Sequence, residues 1–357
     1  MFLSEELTPY MAAAAVVYGD AVLDADQEPS LDPRAALGRR LLQQIFGVRD
    51  GGGPLPGVVQ ALVMDPADPG ARDALEGHVQ GALTDDPARA AAAAETLTRF
   101  YRHEIDAGNI RAMTDLGDLL RGQGDFDGAR AAYQQAVDRG NAHALIDLGD
   151  LLCQCLGDTA GARTAYQRAA DSGDPEVAPE ALAALGHLLM TFQRDHVAAG
   201  AYFRLAISSA HPQRSPGAMV ALALALVKQG DTAGAKDAYQ QAIESGDDDT
   251  AARASVFLGT LLHKHGDVTG ARNAYLRVVD SRNADWAAPA LTELLNLLRD
   301  EDDLEGTRAA HRRAVDTANP DAPYALVVMG QLLEARGDLE SAQAAFQQAA
   351  EAGYPDR

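Results

Sequence analysis

The chain has 357 residues, with 52 Asp and Glu against 30 Lys and Arg, and a formal charge of −22. That balance opposes both the phosphate-neutralising surface of a nucleic-acid binder and docking on anionic lipid. Hydrophobic residues make up 47% but aromatics only 5%, so the core must be Ala and Leu, which suits closely spaced helices rather than a β-sandwich. With three lysines (Lys228, Lys236, Lys264) and abundant Ala, the composition points to a high-GC bacterial source.

In chain order, residues 1–25 read as one helix with an apolar stripe through Leu7, Met11, Val16 and Leu23. Glu5 and Glu6 stand where a secretory leader would be positive, and the apolar run 11–17 is too short for a bilayer, so a cytoplasmic location is expected. Asp32-Pro33 opens a second helix, PRAALGRRLLQQIFG, because Pro suits the first helical turn. Its Arg39 and Arg40 beside Leu41, Leu42, Ile45 and Phe46 fit a core helix with a solvated edge, the commoner case, or a membrane-surface helix. The stretch 50–57, DGGGPLPG, is the least structured by composition. Short helices follow at 58–64 and 71–83 around a turn at 65–69, and Asp86-Pro87 starts a long helix to Ala107. The tail of that helix, Tyr101 to Gly108-Asn109, spaces like Tyr133 to Gly140-Asn141, as the second helix of a leading half-repeat. Residues 1–85 are therefore expected to form a helical module that caps a repeat domain at 86–357.

The repeat is anchored on Gly124-Asp125, Gly157-Asp158, Arg194-Asp195, Gly230-Asp231, Gly266-Asp267, Asp302-Asp303 and Gly337-Asp338, at steps of 33, 37, 36, 36, 36 and 35 residues. A period in this range marks a solenoid. Each copy reads as two helices. The first carries Leu-Gly-x-Leu-Leu, as at Leu116-Gly117, and the Gly-Asp pair ends it, Gly as a left-handed cap and Asp as the N-cap of the second helix. The second places an aromatic on its inner face: Tyr133, Tyr166, Phe203, Tyr239, Tyr275, His311 and Phe346. A glycine inside the first helix costs about 1 kcal/mol relative to Ala, so Gly117, Gly149, Gly186, Gly259 and Gly330 imply a notch beside which the ring packs. Copy six carries Leu295, Thr307 and His311 instead and should pack more loosely or shifted.

The Leu-Gly pair, the Ala of the second helix, the aromatic four residues after that Ala and the small residue three later resemble the tetratricopeptide repeat family, over about 110–353. The family's closing Pro is mostly replaced by Gly, as at Gly140, Gly173 and Gly246. The resemblance implies an all-α fold, an α-solenoid of about seven helical hairpins, with a concave groove lined by the first helices. The N-terminal part resembles helical modules at the front of high-GC bacterial signalling and conflict proteins, which implies an adaptor or sensor setting.

No phosphate-binding loop, His-Glu-x-x-His or Gly-x-Ser-x-Gly occurs, so no catalysis and no cofactor is expected. Cys153 and Cys155, two apart on a first helix, point about 200° apart and read as buried or half-buried thiols rather than metal ligands. His263 and His265 share that problem, and Asp247-Asp248-Asp249 reads as a helix cap rather than a calcium loop.

By the family resemblance, groove-facing positions flank each Leu-Gly pair. They give Arg111, Thr114, Asp115, Asp118 and Arg121 in copy one, and His143, Asp147, Asp150 and Cys153 in copy two. Later copies give Glu180 and His187; then Val220, Leu224 and Val227; then Arg253, His263 and Lys264; and finally Tyr324, Gln331 and Glu334. The family's carboxylate-clamping set is absent, because Asp118 and Asp150 stand where Asn would. These two either suit an Arg or Lys of a partner or are solvated helix-face charges. Val220, Leu224 and Val227 either anchor an apolar side chain or belong to a buried helix. The expected function is a scaffold or adaptor, monomeric or homodimeric, gripping a peptide or helix that carries basic residues, with no nucleic acid and no membrane. The alternative is a regulatory or sensor subunit of a signalling or defence system acting through residues 1–85.

Overall fold

The computed structural model describes residues 2–24, 30–48, 54–209, 216–281, 283 and 285–354. The chain divides into two compact units, Met1–Ala165 and Tyr166–Arg357.

In the first unit the helices are α1 (Phe2–Tyr18), α2 (Pro33–Phe46), α3 (Gly57–Met64), α4 (Pro69–Asp85), α5 (Pro87–Asp106), α6 (Arg111–Gly122), α7 (Phe126–Asp138) and α8 (Ala144–Asp150). Asp32, Asp68 and Asp86 accept the first free backbone N–H groups of α2, α4 and α5, each with Pro next in the chain. The Asp68-Pro69 pair starts α4 ahead of the expected residue 71 for that reason. The expected helix 1–25 is corrected: α1 ends at Tyr18, where Gly19 takes φ 50° and opens a 3-10 turn over Gly19–Ala21. Val16 is accordingly off the stripe, 68% exposed, and the burial falls on Leu7, Met11, Ala14 and Ala15. Of the Gly-Pro stretch, residues 50–53 lie outside the described residues and 54–56 are non-helical. Arg39 also differs from the solvated edge expected of it. It is 9% exposed, donates to the Asp24 carbonyl and lies 5.1 Å over the Tyr18 ring, whereas Arg40 is exposed. Leu7, Met11, Leu41, Leu62, Leu75, Val79, Leu97 and Tyr101 share one core with Leu116 and Leu119 of α6, so the N-terminal helices pack on the first repeat.

The boundary between the units falls inside α9 (Thr159–Ala170). The second unit continues with α10 (Val177–Leu188), α11 (His196–Ser209), α12 (Pro216–Gln229), α13 (Thr232–Glu244), α14 (Asp248–Lys264), α15 (Val268–Asp280), α16 (Ala287–Asp300), α17 (Leu304–Asp316), α18 (Ala322–Ala335) and α19 (Leu339–Glu351). From α10 each helix packs on its sequence neighbour, and α12, α14, α16 and α18 also touch one another in succession. This nearest-neighbour pattern is that of stacked hairpins, an α-solenoid.

The Gly-Asp turn is the same device throughout. Gly124, Gly157, Gly230, Gly266 and Gly337 have φ between 67° and 83°, a region that costs an L side chain energy, and where the sequence departs from Gly, Arg194 and Asp302 still take φ 54° and 52°. The Asp that follows caps the second helix in every copy, as Asp125 does on the Gly128 N–H at 2.9 Å and Asp303 on that of Gly306 at 2.8 Å. Copies two and three hold one more residue between the helix glycine (Gly149, Gly186) and this turn than copy one does between Gly117 and Gly124. The extra residue is absorbed as a π turn at Leu151–Cys155 and at Leu189–Gln193, where the closing N–H of Asp158 and Asp195 reaches one carbonyl further back.

Four of the five expected notches meet their rings. A Cβ on Gly117, Gly186, Gly259 or Gly330 would lie 2.4–2.6 Å from the ring of Tyr133, Phe203, Tyr275 or Phe346 respectively. Tyr133, Phe203 and Tyr275 are fully buried. In copy six Leu295 fills the notch and is itself fully buried, while His311 is half-buried. Its helices α16 and α17 meet over a smaller contact than the neighbouring helix pairs do, with the core still filled. Polar ties recur one repeat apart: Arg272 to Asp303 at 2.6 Å, Arg313 to Asp280 at 2.5 Å, and the Gln229 amide to the His196 carbonyl at 2.7 Å.

Candidate partner-binding site

In the first unit, the residues expected to face a groove form an acidic face on α6 and α8, joined by α1. Asp118 is neither a solvated charge nor a vacant acceptor. It accepts the Tyr133 hydroxyl at 2.7 Å and pairs with Arg121 at 3.2 Å, which ties the face to the ring in the notch. Arg111 is exposed, and Thr114 is buried with its hydroxyl on the Arg111 carbonyl. Glu6 of α1 was not legible as part of this face. It accepts the Tyr101 hydroxyl at 3.2 Å, and Tyr10 donates in turn to Tyr101 at the same distance. Burial, then the charges of Asp118 and Asp115, hold Glu6 above the usual carboxylate range. Burial also raises Asp115, against the pull of Arg111. Asp147, 3.7 Å from His143, is pushed up to about 6 by burial and then by the charge of Asp118. Asp150 is half-buried at the end of α8.

A carboxyl that binds its proton more tightly folded than unfolded loses stability as pH rises between its two pKa values. For Asp147 that window runs from about 4 to about 6 and is worth on the order of 2 kcal/mol. Asp147→Asn is expected to stabilise the chain at pH 7, with the gain shrinking as pH falls through 6 towards 4. Denaturation midpoints measured across that range check it, and a gain independent of pH would contradict the assignment.

In the second unit, residues from three successive first helices surround one cavity of about 690 Å³. Glu180 and His187 come from α10, Val220 and Leu224 from α12, and Arg253 from α14, all five expected from the sequence. Phe257 was not among them, although it stands two residues before Gly259, in the register of Asp115 before Gly117 and Asp147 before Gly149. That register was the signal for it. Phe257 is held edge-on to Trp286 at 5.8 Å and against Tyr239 at 6.3 Å. His187 meets Phe203 edge-on at 5.0 Å, and desolvation followed by the charge of Arg253 holds its imidazole below the usual value. The Nε of Arg253 is buried and has no hydrogen-bond partner among the described residues. Val220 is buried, and Leu224 only half-buried, so α12 both fills the core and offers apolar surface.

The remaining expected residues do not join this cavity. Val227 packs against the core beside Leu226, His263 lies 3.9 Å from Asp300, and Lys264 is exposed at the end of α14. Tyr324, Gln331 and Glu334 line a separate cavity of about 530 Å³ with Phe346 and Tyr354, whose ring stacks on Tyr324 at 5.7 Å. Cys153 is buried as expected, but Cys155 is exposed, because side chains two residues apart on a helix point to opposite sides and only one of them can face the core. Asp247 caps α14 through the Thr250 N–H at 2.7 Å. Among the described residues no three His, Cys, Asp or Glu are grouped to hold a metal ion, and no helix is long and apolar enough to cross a membrane.

Family models described as Tetratricopeptide repeat match residues 114–154, 156–218, 220–289 and 323–352, leaving out the divergent copy six. No curated protein matches the chain. Similar solved structures include pilF of Pseudomonas aeruginosa, at 18% identity over 57% of this chain and 90% of that one, TM-score 0.45. A tetratricopeptide repeat protein from Parabacteroides merdae is 15% identical over 74% of this chain and 94% of that one, TM-score 0.40. YrrB, a tetratricopeptide repeat protein with an unusual peptide-binding site, is 20% identical over 55% of this chain and 96% of that one, TM-score 0.39.

Proposed function

The chain belongs to the tetratricopeptide repeat family, a class of protein–protein interaction scaffold, and from that premise we propose that it is a non-catalytic adaptor that binds a peptide or helix of a partner protein on its first helices. The observation that carries this reading is the cavity shared by α10, α12 and α14. Ordered polar groups, Glu180, His187 and Arg253, surround an apolar patch at Leu224 and Phe257, the arrangement that fixes both the position and the identity of a bound side chain. On the first unit, the crowded carboxyls of Glu6, Asp115, Asp118 and Asp147 favour a partner with Arg or Lys, whose charge would relieve their repulsion.

Affinity capture from the native host with the full chain tests the reading. A partner recovered by the wild type should be lost on Leu224→Glu and on Arg253→Glu, while both variants keep the wild-type helical spectrum. Unchanged recovery on both would remove the cavity from the interaction. A regulatory or sensor role through residues 1–85 is the second reading, favoured by an open cleft that α2 forms with α5 outside the seven full repeats. Deleting 1–85 should abolish signalling under that reading. It also uncovers Leu97, Tyr101, Leu116 and Leu119, so aggregation of the truncated chain would mark the segment as a cap.

A further inference from the structure

The first unit carries a cleft that lies outside the seven full repeats. It lies between α2 and α5, holds about 620 Å³, and runs from Pro33 and His103 at one end to Gln44 and Thr96 at the other. The Gln44 amide donates to the Thr96 hydroxyl at 2.8 Å and closes that end. The floor is apolar and fixed: Leu37 is buried, and Phe100 is held edge-on by Tyr10 at 5.6 Å and against Tyr101 at 5.9 Å. Val48, at the rim, is 60% exposed.

Among the described residues, the ionisable groups that line this cleft are Arg40, Arg99 and His103, with no carboxylate beside them. Arg99 pairs with Glu95 one turn back on α5, and Arg40 is exposed. In a chain with 52 acidic and 30 basic residues, a cleft whose described ionisable lining is Arg40, Arg99 and His103 is opposite in sign to the overall charge. We propose that the α2/α5 cleft docks an acidic, amphipathic segment of a partner protein. An apolar side chain seats on Leu37, Phe100 and Val48, and its neighbouring carboxylates meet Arg40 and Arg99. The stretch of α5 from Thr96 to His103 is about 10 Å long, room for roughly two turns of helix. A basic segment meets the guanidinium groups of Arg40 and Arg99 there, and an acidic one is repelled by the acidic face on α6 and α8, so the two surfaces favour partners of opposite sign.

A random-peptide display library panned on the full chain tests this directly. Enriched peptides should combine Asp or Glu with Leu, Phe or Trp. As synthetic peptides they should bind at least about tenfold more weakly to Arg40→Glu/Arg99→Gln, bind more weakly as salt rises, and bind unchanged to Leu224→Glu. Val48→Asp, at an exposed site, supplies a second variant should the charge pair disturb the fold. Absence of acidic, apolar peptides from the enriched pool, or full binding of them retained on these variants, would overturn the proposal, whereas basic peptides that bind these variants unchanged report the acidic face on α6 and α8. So would wild-type self-association in sedimentation that Arg40→Glu/Arg99→Gln abolishes, since the occupant would then be a second copy of the chain.

Discussion

Replacing Gly38 with alanine is expected to cost the first unit about 3 kcal/mol, the largest loss for any single methyl group added to it. A Cβ at Gly38 would lie 1.7 Å from the Tyr10 carbonyl oxygen and 2.9 Å from the Met11 nitrogen. These are backbone atoms of α1, and no rotamer change moves them aside. The helices must separate, and Leu7, Met11, Leu41 and Leu42, all fully buried, would lose contact together. Alanine gains about 1 kcal/mol of helix propensity over glycine, so a net loss can come only from the close approach. For a unit of this size the loss corresponds to a fall in melting temperature of roughly 6–12 °C. Hydrogen exchange in α1 and α2 should rise before that in α14 and α15. An unchanged melting point would mean that α1 does not rest on α2 at this glycine.

The second large effect is expected at Tyr275. Its ring is fully buried against Gly259, and its hydroxyl donates to Thr260 at 3.2 Å. Tyr275→Ala should cost about 3–5 kcal/mol through the cavity left between α14 and α15. The reverse change probes the same contact from the other side. Gly259→Ala puts a Cβ 2.5 Å from the ring and should lose about 1–2 kcal/mol despite the propensity gain. Copy six shows how such a pair can be exchanged, with Leu295 in the notch and His311 in place of the ring. Gly259→Leu alone should therefore be severe, and Gly259→Leu with Tyr275→His should recover part of the loss. A double variant no better than the sum of its single changes would show that the two sites are not coupled. Gly259→Ala stabilising the chain by the full propensity gain would show that the ring moves freely.

The one-residue expansion in copies two and three is an instructive middle case. The spacing from Gly149 to Gly157 and from Gly186 to Arg194 already displays the insertion, and a π turn is the cheapest way for a helix to hold it while Asp158 and Asp195 keep their caps. The ring–notch pairs and the capping aspartates were legible for a related reason. They are local, they recur at one period, and each copy confirms the register of the others. The same register places Asp118 over the Tyr133 hydroxyl and Phe257 at the wall of the cavity, although chemistry alone suggested a vacant acidic acceptor for the first and nothing for the second.

The sequence by itself determined the helical pairs, their turns and caps, and the order in which they stack, because these depend on residues within one or two repeats of each other. Only the tertiary structure decided how α1, α2 and α5 meet. The Gly38 contact with the Tyr10 backbone, the chain from Tyr10 through Tyr101 to Glu6, and the cation-lined cleft at Arg40 and Arg99 join residues far apart in a stretch with no second copy. Without a period, nothing in the order of residues specifies which apolar face finds which; that choice rests on the shape of the two surfaces when they close.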